Sequence, residues 1–125
     1  MITKPEWQAA RDEYLAAWLA SEPAAARALG LHEYDGKVAD YSRSAIESRI
    51  GEIRKQLERL QSVPAGELDP DSALDLALLK RHARLSLFRL VSVREWQTRP
   101  AFYEELFAVN VYLDRAYAPL ADRAE

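Results

Sequence analysis

Asp69-Pro70-Asp71-Ser72-Ala73-Leu74-Asp75-Leu76-Ala77-Leu78-Leu79-Lys80-Arg81-His82-Ala83-Arg84-Leu85-Ser86-Leu87-Phe88-Arg89-Leu90-Val91-Ser92-Val93-Arg94-Glu95-Trp96-Gln97 reads as one long helix. Asp69 is placed to cap it, and Pro70 suits the first helical position, where no N–H is needed. Asp71 and Asp75 come early; Lys80, Arg81, Arg84, Arg89 and Arg94 come later. That order complements the helix dipole. At 100° per residue the apolar residues form two seams. Leu74, Leu78, Leu85 and Trp96 fall on one side, and Leu76, Leu79, Ala83, Leu87 and Leu90 nearly opposite. A helix that is apolar on two sides is normally covered from two sides. Four leucines left in water would forgo about 1.5–3 kcal/mol each, a sum comparable to a domain's whole stability. The expectation is that this helix is sandwiched, and that the polypeptide self-associates or meets further protein.

The flanking sequence repeats the helical theme. Thr3 and Glu6 have capping-box spacing, and Trp7, Tyr14 and Trp18 share one arc of the helix they open. Ser21-Glu22-Pro23 breaks it. A short helical turn, Ala24 to Leu29, ends at Gly30, which suits a left-handed C′ position. Ser42 is a plausible N-cap for a second long helix, about Arg43 to Ser62. Ile46, Ile50, Ile53, Leu57 and Leu60 recur there at 4-3-4-3 spacing, with charged residues behind them, as in antiparallel helix packing. A fourth helix should open at Pro100 and end near Pro119, with Phe102, Leu106, Val109, Leu113 and Tyr117 as its stripe and Tyr103, Phe107 and Val111 beside it. Asn110 falls inside this apolar arc and is expected to be buried there. Strand periodicity is absent. The predicted fold is all-α: a single domain over residues 1–125, an up-and-down helical bundle of four main helices plus one short helix.

Composition narrows the function classes. The 125 residues contain no cysteine, which removes disulfides, thiolate metal sites and Cys nucleophiles. Seventeen basic and twenty acidic residues give a net charge of −3, a poor balance for holding a phosphate backbone. The basic stretch from Lys80 to Arg94 reads as a solvated face, and no nucleic-acid partner is expected. No apolar run is long enough to span a membrane and the N-terminus lacks a signal-peptide core, so a cytoplasmic location is expected.

Motifs that carry chemistry are scarce. His32-Glu33 would need a second His four residues on to bind zinc as a helical pair, and position 36 is Gly. The loop from Leu31 to Tyr41 nevertheless gathers His32, Glu33, Tyr34, Asp35 and Asp40. It reads either as a helix C-cap followed by a polar turn, or as a loop presented to a cleft. His82, beside the Leu78 seam, reads as a satisfied or edge-exposed residue, and Trp7, Trp18 and Trp96 as core or interface anchors. No catalytic, cofactor-binding or metal-binding residue can be assigned.

The segment Ala28-Leu29-Gly30-Leu31-His32-Glu33-Tyr34-Asp35-Gly36-Lys37-Val38-Ala39-Asp40-Tyr41-Ser42 resembles the N-terminal region of a large bacterial family, the domain-of-unknown-function family 885. Leu74-Asp75 through Leu79, Arg94-Glu95-Trp96 with Arg99-Pro100-Ala101-Phe102-Tyr103, and Tyr117-Ala118-Pro119-Leu120-Ala121-Asp122-Arg123 resemble later segments of that family in the same order. The resemblance implies an all-α protein several times longer, with zinc-peptidase-like character and a His-Glu plus Gly-His metal motif far downstream. None of that motif falls within this chain. The expected role is therefore a non-catalytic packing and interaction domain, the N-terminal region of a longer protein, with no cofactor of its own. The alternative is the N-terminal piece of a zinc-dependent peptidase-like hydrolase whose catalytic motif lies outside the chain. The expected partner is a second copy or the missing C-terminal part.

Overall fold

The computed structural model describes residues 2–107, 110–114, 116 and 118–123, and the described residues are helical or irregular, with no strand among them. Three long helices dominate: α1 (Lys4–Ser21), α3 (Arg43–Gln61) and α4 (Pro70–Leu87). The short α2 (Pro23–Ala28) follows α1 directly.

Each long helix begins where its cap residue dictates. Thr3 Oγ1 accepts the Glu6 N–H while the Glu6 carboxylate accepts the Thr3 N–H at 2.7 Å, so the capping box is complete. The Ser42 hydroxyl accepts the Ala45 N–H at the head of α3, and Asp69 accepts the Ser72 N–H at the head of α4. At the end of α2 the Leu31 N–H reaches the Ala26 carbonyl and the Gly30 N–H the Arg27 carbonyl. This Schellman closure needs a left-handed residue, and Gly30 supplies it at φ +83°.

The three long helices run up, down and up. Near the chain start the Ile2 N–H donates to Glu67, at the α3–α4 connection. At the far end of α1, Glu22 pairs with Arg49 in the first half of α3. Tyr14 meets His82 across α1 and α4. These contacts set α3 antiparallel to both neighbours, with Trp7, Tyr14, Leu60, Val63, Leu76 and Ala83 in the common core. The 4-3-4-3 seam of α3 points inward as expected. Ile46 and Leu60 are buried, and Ile53 and Leu57 pack against the core.

Two expectations are corrected. The helix from Asp69 does not continue to Gln97. Its α-helical part stops at Leu87, widens into a π-helical turn over Phe88–Val93, and ends at Arg94, which adopts a left-handed conformation (φ 55°, ψ 49°). A new short helix, α5 (Glu95–Thr98), starts there. Two partners hold the break. The Trp96 indole donates to the Leu90 carbonyl at 3.0 Å, and the Thr98 hydroxyl donates to the Arg94 carbonyl at 3.1 Å. The Arg94 carbonyl also accepts the Gln97 and Thr98 N–H groups, so the residue that ends one helix caps the next.

The continuous helix expected from Pro100 to near Pro119 is also not found. Residues Pro100–Phe107 form 3₁₀ turns, followed by short α-helices α6 (Val111–Asp114) and α7 (Leu120–Arg123). Phe102 and Tyr103 both meet Tyr41 edge-on at 5.5 Å between ring centres, and the Tyr103 hydroxyl donates to the Trp96 carbonyl at 2.6 Å. These contacts tie the segment to α5 and to the loop before α3. Asn110 is exposed rather than buried, with Asp114 as its neighbour at 3.4 Å. Val109 and Tyr117 of the expected stripe lie outside the described residues, as do the side chains of Val111 and Leu113.

Candidate functional site

Three places could carry function: the loop after α2, a polar cluster between α1, α3 and α4, and the outer face of α4.

In the loop, His32, Glu33 and Tyr34 form one 3₁₀ turn. His32 Nδ1 lies 3.1 Å from an Asp35 carboxylate oxygen, and the Lys37 ammonium sits 4.7 Å from the centre of the Tyr34 ring. Asp40 turns the other way and accepts the Ser42 N–H at 2.8 Å; that hydrogen bond holds its carboxyl below the usual range. His32, Glu33, Tyr34 and Asp35 thus share one turn, with His32 and Asp35 in contact, and Asp40 caps a separate one. A cavity of about 110 Å³ beside the loop is lined by Gly36, Lys37, Val38 and Tyr41 from this segment, with Arg27 and Tyr112 opposite. The loop is anchored from outside: Arg27 donates to the Lys37 carbonyl at 2.7 Å and the Gly36 N–H to the Tyr112 hydroxyl at 3.1 Å.

The interhelical cluster joins residues far apart in sequence. Glu22 accepts from the Trp18 indole at 2.9 Å and from the Arg49 guanidinium. The Tyr14 hydroxyl and His82 Nδ1 are 2.7 Å apart, and Trp18 lies edge-on to His82 at 4.9 Å. Next to them Gln56 is buried, and its amide nitrogen faces two carboxylates, Glu52 at 2.8 Å and Glu13 at 3.5 Å. That fixes the amide orientation, because only the NH₂ end can donate. A cavity of about 350 Å³ opens onto this cluster, lined by Tyr14, Arg49, Gln56 and His82 together with Ala17, Trp18 and Ile53.

Burial first, and then the Glu22 charge, push Tyr14 up to about 12, so the phenol keeps its proton at neutral pH. Burial, assisted by Arg49 and opposed by Glu22, pushes His82 below its ordinary value, so the imidazole stays neutral. At neutral pH the pair is therefore an uncharged phenol beside an uncharged imidazole. Among the described residues no three His, Cys, Asp or Glu side chains are grouped to hold a metal ion.

This cluster predicts a pH dependence. The unfolded chain takes up a proton on His82 at higher pH than the folded chain does. In the window from about 6.5 down to the folded value, acid therefore favours unfolding. Stability should fall as pH drops through that window. A separate acid limb below the ordinary carboxylate range belongs to Glu6, Asp40, Asp69 and Glu95, all held low by hydrogen bonds. His82→Gln should flatten the upper limb and leave the lower one, as read by urea midpoints across pH. An unchanged upper limb would show that His82 is not its source.

The outer face of α4 is the anomaly. The inner seam is enclosed: Leu76 is 1% exposed, Ala83 0% and Leu90 4%, with Leu79 and Leu87 partly buried. The opposite seam is in water: Leu74 is 60% exposed, Leu78 54%, Leu85 52% and Phe88 57%. Trp96, placed in that seam by periodicity, is instead partly buried, because the turn at Arg94 carries it back to the Leu90 carbonyl.

No family model matches this chain, and neither a curated protein nor a solved structure does. Function therefore has to be read from the geometry alone. Isolated exposed leucines are ordinary, but Leu74, Leu78, Leu85 and Phe88 together form an apolar row along one helix. Arg81 and Arg84 are the exposed charges within the row, and Asp71 and Asp75 lie at its N-terminal end. Sequence periodicity found both seams. Which one faces inward depends on how α1 and α3 sit against α4, and no single-helix pattern contains that information.

Proposed function

We propose that this chain is a non-catalytic helical interaction module, the N-terminal region of a longer protein, whose business is packing through the outer face of α4. The observation that carries the reading is the exposed row Leu74, Leu78, Leu85 and Phe88 on a helix whose opposite seam is already enclosed. Leaving such side chains in water forgoes about 1.5–3 kcal/mol each. That the chain is the N-terminal region of a longer protein rests on the resemblance to family 885; the packing role of α4 does not. Tyr14 and His82, a hydrogen-bonded pair between α1 and α4, are both uncharged at neutral pH. The chain alone is expected to hydrolyse no peptide and to bind no zinc; stoichiometric zinc by elemental analysis would count against a non-catalytic role.

The test is the double variant Leu78→Lys/Leu85→Lys. Both positions face solvent, so the urea unfolding free energy should change by no more than about 0.5 kcal/mol. Binding of a naphthalenesulfonate dye to dilute protein should drop sharply. Undiminished dye uptake, or a loss of about 2 kcal/mol or more, would show that these leucines serve the fold instead.

A further inference from the structure

A docking face on α4 leaves its occupant to be named, and the occupant named here rests on that reading. We propose that it is a second copy of this chain, with α4 packed antiparallel on α4 about a two-fold axis beside Arg81.

The spacing of the row suits such an axis. Counting outward from Arg81, Leu74 and Phe88 each lie seven residues away, and Ala77 and Leu85 each lie four away. An antiparallel partner centred there sets Leu74 over Phe88 and Ala77 over Leu85, each pairing occurring twice. A two-fold interface requires this reciprocity: if one residue meets a second, the second must meet the first.

Charge selects the same orientation. Asp71 and Arg89 are eighteen residues apart, five full turns of an α-helix, so they share one flank of the row. A two-fold antiparallel pair brings like flanks together with reversed direction. Asp71 and Asp75 of one copy then face Arg89 of the other, and Arg89 is an exposed residue. Arg89 also holds Glu95 in its own chain at 2.7 Å. A guanidinium has five donors, so it can serve both. Parallel pairing in the same register would instead bring unlike flanks together and place the Asp71 and Arg89 of the two copies on opposite sides of the row, so this match would be lost.

The area on offer sets the strength. Large apolar side chains about half exposed each present on the order of 100 Å². With the stems of Arg81 and Arg84, each copy offers roughly 500 Å² and the pair about 1,000 Å², the low end for a specific interface. An interface of that size suits a weak, reversible dimer. Arg81 supplies a further discriminator, because two guanidinium groups meet at the axis. Arg81→Leu should tighten the dimer roughly five- to tenfold by removing that repulsion. A different protein offering an acidic helix would respond in the opposite sense, because it would use Arg81 as a partner.

The absence of cysteine makes a clean register test available. Facing helices lie about 8–10 Å apart at their axes, which brings directly opposed Cα atoms within disulfide range. Under mild oxidation Arg81→Cys should link to itself. Leu74→Cys should not link to itself but should link to Phe88→Cys when the two variants are mixed. Sedimentation equilibrium should show a dimer that Arg81→Leu strengthens and Leu78→Lys/Leu85→Lys abolishes. Self-linking of Leu74→Cys would overturn the antiparallel register. A monomer at every concentration, with Arg81→Leu monomeric too, would overturn the second copy as occupant. In that case, dye binding that depends on Leu78 and Leu85 would leave the docking face itself standing.

Discussion

Trp7→Ala is expected to lower the unfolding free energy by about 3–5 kcal/mol, the usual range for deleting a buried Trp. Trp7 is among the largest enclosed side chains, and it closes the end of the bundle where α1, the end of α3 and the start of α4 converge. Domains of this size are stable by only about 5–15 kcal/mol, so this one change could remove most of the margin. Trp7→Phe should behave differently. The buried indole N–H has no acceptor among the described residues, so it carries an unrecovered desolvation cost. Phe loses volume but sheds that cost, and the net change should stay within about 1 kcal/mol. Urea melts followed by far-UV circular dichroism give both numbers. Equal losses for Ala and Phe would mean that the N–H contributes more than the enclosed ring.

The second large effect concerns Glu22. Its carboxylate receives both the Trp18 indole and the Arg49 guanidinium, so Glu22→Ala strips two donors of their acceptor at once. Hydrogen bonds to a charged group are worth about 1.5–3 kcal/mol each where buried. Glu22 and Arg49 keep part of their water, so a total of about 2 kcal/mol is expected after screening. Glu22→Gln keeps an acceptor for the indole and should cost about half as much. A double-mutant cycle with Arg49→Met isolates the ion pair. A coupling energy near zero would place the loss in the Trp18 contact instead.

Helix starts were the most legible part of the fold. Thr3 with Glu6, Gly30, Ser42, and Asp69 with Pro70 each announced a helix boundary. Such boundaries are local: the cap and the groups it satisfies lie within four residues. The break at Arg94 was not legible. No Gly or Pro marks it, and an arginine in the left-handed region is held there by Trp96 and Thr98, whose bonds form only once the chain has turned. The same holds beyond Pro100, where Phe102 and Tyr103 fit a helical stripe but are fixed by Tyr41. Reading His82 as satisfied agrees with its bond to Tyr14, but nothing in the sequence names a partner sixty-eight residues away. The Glu22–Arg49 pair is equally silent, because a lone charge matches every opposite charge in the chain until the helices are placed. The two seams of α4 were visible, and assigning one to solvent needed the neighbouring helices.

The wide turn at Phe88–Val93 has a consequence for chain-length variation. A π-helical turn takes one more residue per revolution than its surroundings. Removing Ser92 would let α4 close up into ordinary α-helical winding over the same revolution, whereas winding all six residues as ordinary α-helix would swing everything after them by roughly a quarter-turn or slightly more. With that swing Trp96 would leave the Leu90 carbonyl, Glu95 would part from Arg89, and the aromatic clasp on Tyr41 would be pulled out of reach. The bulge therefore works as a phase-setter: its single surplus residue fixes the rotational offset at which the C-terminal third of the chain is handed back to the three-helix body.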